Sequence, residues 1–102
     1  MDIFYALAAP IRRQIIELLA SGNAVAATII AENFKVSPSA VSQHLKVLLD
    51  CDLIEVHKDA QQRLYTLNPA ALAELETWVQ QMSKPFEALG SFITPEGTEK
   101  TT

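Results

Sequence analysis

SPSAVSQHLKVLLD, residues 37–50, reads as one helix with two different sides. Ser37 is a good N-cap, and Pro38 suits the first helical position because the N–H it lacks would be unpaired there. At about 100° per residue, Val41, Leu45 and Leu48 fall on one face, while Ser39, Gln43, Lys46 and Asp50 fall opposite. The first face belongs in a core. The second is polar and presented to something outside it.

Upstream, AATIIAENF (residues 26–34) gives a shorter helix with Ala27, Ile30, Ala31 and Phe34 on one side, and Lys35 to Ser37 leave only a tight turn before the next helix. Before it, Pro10 starts a helix whose Ile11, Ile15, Leu18 and Leu19 recur at core spacing, with Ser21, Gly22 and Asn23 as its stop. Residues 2–8 suit a further short helix presenting Ile3, Phe4 and Leu7.

Downstream, in residues 53–58 (LIEVHK), Ile54 and Val56 alternate with Glu55 and His57 as in a half-buried strand, and residues 63–67 (RLYTL) make a second strand. The four residues 59–62 between them suit a hairpin loop. Asn68 then caps a last helix opened by Pro69, where Leu72, Leu75, Val79, Met82, Phe86 and Leu89 alternate at spacings of three and four, as in a coiled-coil seam. Pro85 predicts a kink or an end near Lys84, with a separate apolar turn through Phe86, Leu89 and Phe92. Residues 1–93 read as one domain, and residues 94–102, without apolar side chains, as a disordered tail.

Composition limits the function classes. A chain of 102 residues is of single-domain length, and 49% hydrophobic with 20% charged residues is globular rather than disordered. Eight Lys and Arg against 12 Asp and Glu give a net charge of −4, so a nucleic-acid partner has to be argued from local patches. One cysteine cannot form an internal disulfide, and no stretch has signal-peptide or membrane-spanning character, which places the expected compartment in the cytoplasm. No Gly-rich phosphate loop, nucleophile elbow or paired-carboxylate pattern points to an enzyme.

Two short helices joined by a tight turn, the second polar outward and followed at once by a hairpin, make a winged helix-turn-helix: mainly α with a small β-hairpin. In such modules the second helix enters the major groove. Here its reading residues are Ser39, Ser42, Gln43 and Lys46; Gln can pair with adenine through two hydrogen bonds, and Lys reaches guanine or phosphate. The backbone N–H groups near Ser37 to Ala40 add a phosphate site. Backbone contacts fall to Ser37, His44, Lys58 and Arg63, the last two flanking the wing.

The stretches ALAAPIRRQIIELLASGN (6–23), VSPSAVSQHLKVLLDCDLIEVHK (36–58) and QRLYTLNPAALAEL (62–75) closely resemble the ArsR/SmtB-like family of bacterial winged-helix repressors. The resemblance covers roughly residues 3 to 80 on an element-by-element reading. It implies a homodimeric regulator of double-stranded DNA with the helix from Ser37 to Asp50 as recognition helix and Lys58 to Arg63 as wing. It also implies a helical dimer interface from the first and last helices, here Ile3, Phe4, Leu7, Leu72, Leu75, Trp78, Val79, Met82, Phe86 and Leu89. The apolar surface of the last helix exceeds what a small core covers, which favours the same outlet.

This chain departs from the family where it has Leu49 for a frequent Arg, Asp52 for Gly, and Ala60, Gln61 and Gln62 for a Gly with several Arg around the wing. Between Lys35 and Leu67, Lys35, Lys46, Lys58 and Arg63 are balanced by Asp50, Asp52, Glu55 and Asp59. Modest affinity with steep salt dependence is expected. Family members that sense metals use a Cys motif on the first helix of the pair or an Asp/His set on the last helix; this chain has neither, and no metal or cofactor is expected. His44 and His57 read as a helix-flank and an exposed strand residue, and Cys51 as a small hydrophobe near the core. Arg13 pairs most simply with Glu17 four residues on, Arg12 with phosphate or an ion-pair partner, and Tyr65 belongs in the core. The rival reading is a winged helix used only for protein contacts, which the neutral recognition region would suit. No residue pattern identifies an effector.

Overall fold

The computed structural model describes the backbone of residues 2–93 and the side chains of residues 2–84. Its elements are α1 (Ile3–Leu7), α2 (Pro10–Leu19), β1 (Val25–Ala26), α3 (Ala27–Phe34), α4 (Pro38–Asp50), β2 (Ile54–Asp59), β3 (Gln62–Leu67) and α5 (Pro69–Ile93). Their order gives a mainly helical winged helix-turn-helix with a three-stranded antiparallel sheet, β1-β3-β2. The described residues form two compact units that divide between Leu72 and Ala73.

In the first unit, local chemistry sets the helix ends. The Asp2 carboxylate accepts the Tyr5 N–H at 2.8 Å and starts α1, and Pro10 opens α2. α3 ends on Lys35, which takes a left-handed conformation at φ 54°. Two residues later the Ser37 hydroxyl accepts the Ala40 N–H at 3.2 Å, capping α4 ahead of Pro38. Asn68 caps α5 by accepting from the Ala70 N–H, while its amide donates to the Asp52 carbonyl at 2.8 Å.

Ile15 and Leu19 from α2, Ile30 from α3, Val41, Leu45 and Leu48 from α4, and Leu53, Ile54 and Tyr65 from the hairpin form the buried core. Each large aliphatic side chain buried this fully contributes about 1.5–3 kcal/mol over exposure. α4 divides as its sequence predicts, with Val41, Leu45 and Leu48 inward. In α1 the fully buried side chain is Ala6; Ile3 and Leu7 are half-buried, and Phe4 is exposed.

Four expectations are corrected. The sheet has a third strand: Val25 and Ala26 pair with Tyr65 and Leu64, a two-residue element too short to show alternation. The hairpin loop is shorter than four residues, because Asp59 pairs with Gln62 and only Ala60 and Gln61 turn. Val56 is 39% exposed rather than half-buried, because β2 is an edge strand and its residues beyond Ile54 have no covering layer among the described residues. Of the kink or end expected near Lys84, the end does not occur, because the helix passes through Pro85 to Ile93. Proline removes one N–H, but the carbonyl that loses its helical donor belongs to Gln81, which is exposed and can be served by water.

The second unit is the helix from Ala73. Leu75 is half-buried, whereas Trp78, Val79 and Met82 are 45%, 47% and 52% exposed. The expected interface residues Phe86 and Leu89, the apolar turn with Phe92 and the tail 94–102 lie outside the described side chains. No helix among the described residues is long and apolar enough to cross a membrane.

Candidate nucleic-acid interface

Burial of Val41, Leu45 and Leu48 fixes the rotation of α4, and with it what the helix presents. Ser39, Ser42, Gln43 and Lys46 are all exposed on the outer side. Ser37 is engaged as the cap, with its Oγ also 3.3 Å from that of Ser39. Pro38 has no N–H and that of Ala40 is taken by the cap, which leaves the Ser39 N–H at the positive end of the helix dipole without a helical acceptor.

The wing stands beside this helix. Lys58 and Arg63 are register partners across the hairpin and both are exposed. Arg63 also lines, with Ser42, Lys46 and Asp50 over Leu49 and Tyr65, an open cleft of about 380 Å³ between α4 and β3. Two cations from two elements therefore share one cleft. Lys46 is tied to Asp50, one turn on, at 3.4 Å.

His44 takes a different position from its neighbours on α4. It is half-buried, and its Nδ1 lies 3.2 Å from the Arg12 guanidinium. Arginine only donates, so Nδ1 accepts and the neutral ring carries its proton on Nε2. Burial, and secondarily the Arg12 charge, push the His44 pKa below its usual value. Backbone contact through Nδ1 is thus displaced by an internal bond, leaving only Nε2 for an outside partner.

Arg12 is the centre of that arrangement. Its Nε donates to the Ala6 carbonyl at 2.7 Å, another guanidinium nitrogen donates to the Tyr5 carbonyl at 3.2 Å, and its carbon lies 5.4 Å from the Tyr5 ring centroid. Arg13 donates to the Leu7 carbonyl at 2.6 Å. Both arginines thus cap the last carbonyls of α1, where cations suit the negative end of the helix. The expected Arg13–Glu17 ion pair does not form among the described residues. Spacing of three or four within a helix could not reveal these roles, because the partners lie across a turn on another helix.

The remaining polar candidates do not assemble a second site. His57 meets Thr66 at 3.4 Å across the hairpin. The Cys51 thiol donates to the Asp2 carbonyl at 3.2 Å, and burial is the main cause pushing its pKa up. Among the described residues no group of three or more His, Cys, Asp or Glu could hold a metal ion. Tyr65 is buried as expected, at the centre of the sheet.

The family described as "Bacterial regulatory protein, arsR family" matches residues 9–56, from the start of α2 into β2. The transcriptional repressor SdpR of Bacillus subtilis (strain 168) is 35% identical over 78 residues, covering 76% of this chain and 86% of SdpR. The HTH-type transcriptional regulator Rv2034 of Mycobacterium tuberculosis (strain ATCC 25618 / H37Rv) is 44% identical over 95 residues, 92% of this chain and 88% of that protein. An ArsR-like transcriptional regulator from Rhodococcus sp. RHA1 superposes with a TM-score of 0.79 at 24% identity, covering 95% of this chain and 90% of that one, which shows the shared fold. The match across the helix-turn-helix and relatives that span most of its length agree with the exposed face of α4: the chain belongs to the arsR family of bacterial regulatory proteins, DNA-binding regulators of transcription.

Proposed function

We propose that this protein is a homodimeric repressor that occludes an operator, with α4 in the major groove and the wing against the flanking backbone. The observation that carries the reading is the outer face of α4, where Ser39, Ser42, Gln43 and Lys46 stand exposed while the opposite face is buried. Base reading falls to Ser39, Ser42 and Gln43, Lys46 reaches guanine or phosphate, and backbone contacts fall to Ser37, Lys58 and Arg63, with His44 contributing at most through Nε2. The name of SdpR, a transcriptional repressor, supports repression as the output.

Dimerisation is supported by apolar surface. Phe4 on α1, and separately Trp78, Val79 and Met82 on the helix from Ala73, are large hydrophobic residues left exposed. Ile3, Leu7, Leu72 and Leu75 add half-buried neighbours on the same two helices. Such concentrations of apolar surface mark association faces more often than solvent faces. Hydroxyl-radical footprinting on the protein's own upstream DNA tests the reading. A dimer protects two half-sites about one helical turn, roughly 34–36 Å, apart; protection of a single half-site would remove the two-fold part of the proposal.

A further inference from the structure

The cleft between α4 and the wing contains an opposing charge. Lys46 and Arg63 line it from two elements, and Asp50 lines it as well. The Arg63 side chain forms no hydrogen bond or ion pair among the described residues, whereas Lys46 is held by the Asp50 carboxylate at 3.4 Å. The lysine's side chain is 76% exposed and the aspartate's 43%, so the carboxylate is itself open to whatever approaches the cleft. Lys46 precedes Asp50 by four residues, the less favourable order for such a helical pair, and Asp50 is the last residue of α4, where a negative charge opposes the helix dipole. Helix stability therefore does not account for the carboxylate.

We infer that Asp50 limits the affinity of this chain for the DNA backbone by occupying Lys46, leaving Arg63 as the uncompensated cation among the described residues that line the cleft. The inference rests on the DNA-binding reading of α4 and the wing. Its effect is independent of sequence, because phosphate contacts carry no base information. With the carboxylate neutralised, Lys46 joins Arg63 on the backbone and one further phosphate is engaged.

The test is a fluorescence-anisotropy titration of wild type, Asp50→Asn, Lys46→Ala and the double variant, on the native upstream duplex and a shuffled one, over a series of KCl concentrations. Asp50→Asn tightens binding to both duplexes by about two- to fivefold at low salt, the size expected when an exposed ion pair is released. The slope of log K against log salt steepens by about 0.9. The gain vanishes in the Lys46→Ala background. Asp50→Asn binding like wild type or more weakly overturns the inference, as does a gain that survives loss of Lys46. Asp50→Ala, with an unchanged melting temperature as control, serves if the asparagine variant folds poorly. If neither wild type nor any variant binds either duplex at low salt, the DNA-binding reading fails too, an outcome distinct from wild-type binding that the substitution leaves untouched.

Discussion

The guanidinium of Arg12 and the imidazole of His44, 32 residues apart in sequence, meet at 3.2 Å and join the C-terminal end of α1 to α4. The same guanidinium holds the carbonyls of Tyr5 and Ala6. Arg12→Ala leaves these carbonyls and the His44 nitrogen without their donor. Hydrogen bonds to charged groups contribute about 1.5–3 kcal/mol when sheltered, so a loss near the lower end is expected at this part-buried site. Urea denaturation measures it, and DNA affinity per folded molecule should be little changed, since the side chain is committed internally.

His44 makes stability depend on pH in a defined direction. Its folded-state pKa lies below the unfolded value of 6.5, first through burial and then through Arg12. The unfolded chain binds the proton more readily, so the contribution is fully present above pH 6.5 and is lost as pH falls through the lower folded-state value. His44→Asn keeps an acceptor near the Nδ1 position without a titrating ring. Melting temperatures taken from pH 7.5 down to pH 5 should fall more steeply for wild type than for the variant; parallel curves would contradict the assignment.

Two non-glycine residues that bracket β2 occupy left-handed backbone. Ala60 turns the wing at φ 58° and Asp52 follows α4 at φ 59°. A non-glycine residue in this region costs about 1–2 kcal/mol, partly offset by glycine's greater unfolded-state entropy. Ala60→Gly is expected to stabilise by about 0.5–1 kcal/mol, and Asp52→Gly by less because Asp tolerates the conformation better. Ala60→Val should destabilise, and thermal melts distinguish the three.

Core and wing respond differently to truncation. Leu48 is fully buried among α2, α4 and the hairpin, and Leu48→Ala should cost about 2–5 kcal/mol through lost burial and a residual cavity. Val56→Thr, on the exposed edge strand, should stay within about 0.5 kcal/mol. Chemical denaturation of both tests where the core ends.

The proposed dimer surface is open to a direct check. A charge on the exposed helix from Ala73, as in Met82→Lys, should raise the dimer dissociation constant by at least about tenfold, since a buried lysine at an apolar interface costs more than 1.4 kcal/mol. Sedimentation equilibrium of wild type and variant reads this. An unchanged constant would move the interface elsewhere.

The sequence reveals those features whose causes lie within one element. The faces of α4 follow from Val41, Leu45 and Leu48 alone, and its cap from Ser37 and Pro38. Features that depend on a partner are hidden: β1 exists only because Val25 and Ala26 find the open edge of β3, and Val56 is exposed because none of the described residues packs over the outer wing. The candidate site divides in the same way. Ser39, Gln43 and Lys46 are legible from helical periodicity and Ser42 from the winged-helix pattern, whereas the turn of His44 toward Arg12 and the convergence of Lys46, Asp50 and Arg63 require the tertiary fold.

If α4 reads sequence, Gln43 carries part of the discrimination between duplexes. Anisotropy titrations of wild type and Gln43→Ala against the native upstream duplex and a shuffled one, at low and near-physiological salt, compare preference with bare affinity. Wild type is expected to prefer the native duplex at both salt concentrations, and Gln43→Ala to lose about 1–3 kcal/mol of that preference with its salt slope unchanged. Equal wild-type binding to both duplexes that disappears with salt would contradict sequence reading by α4.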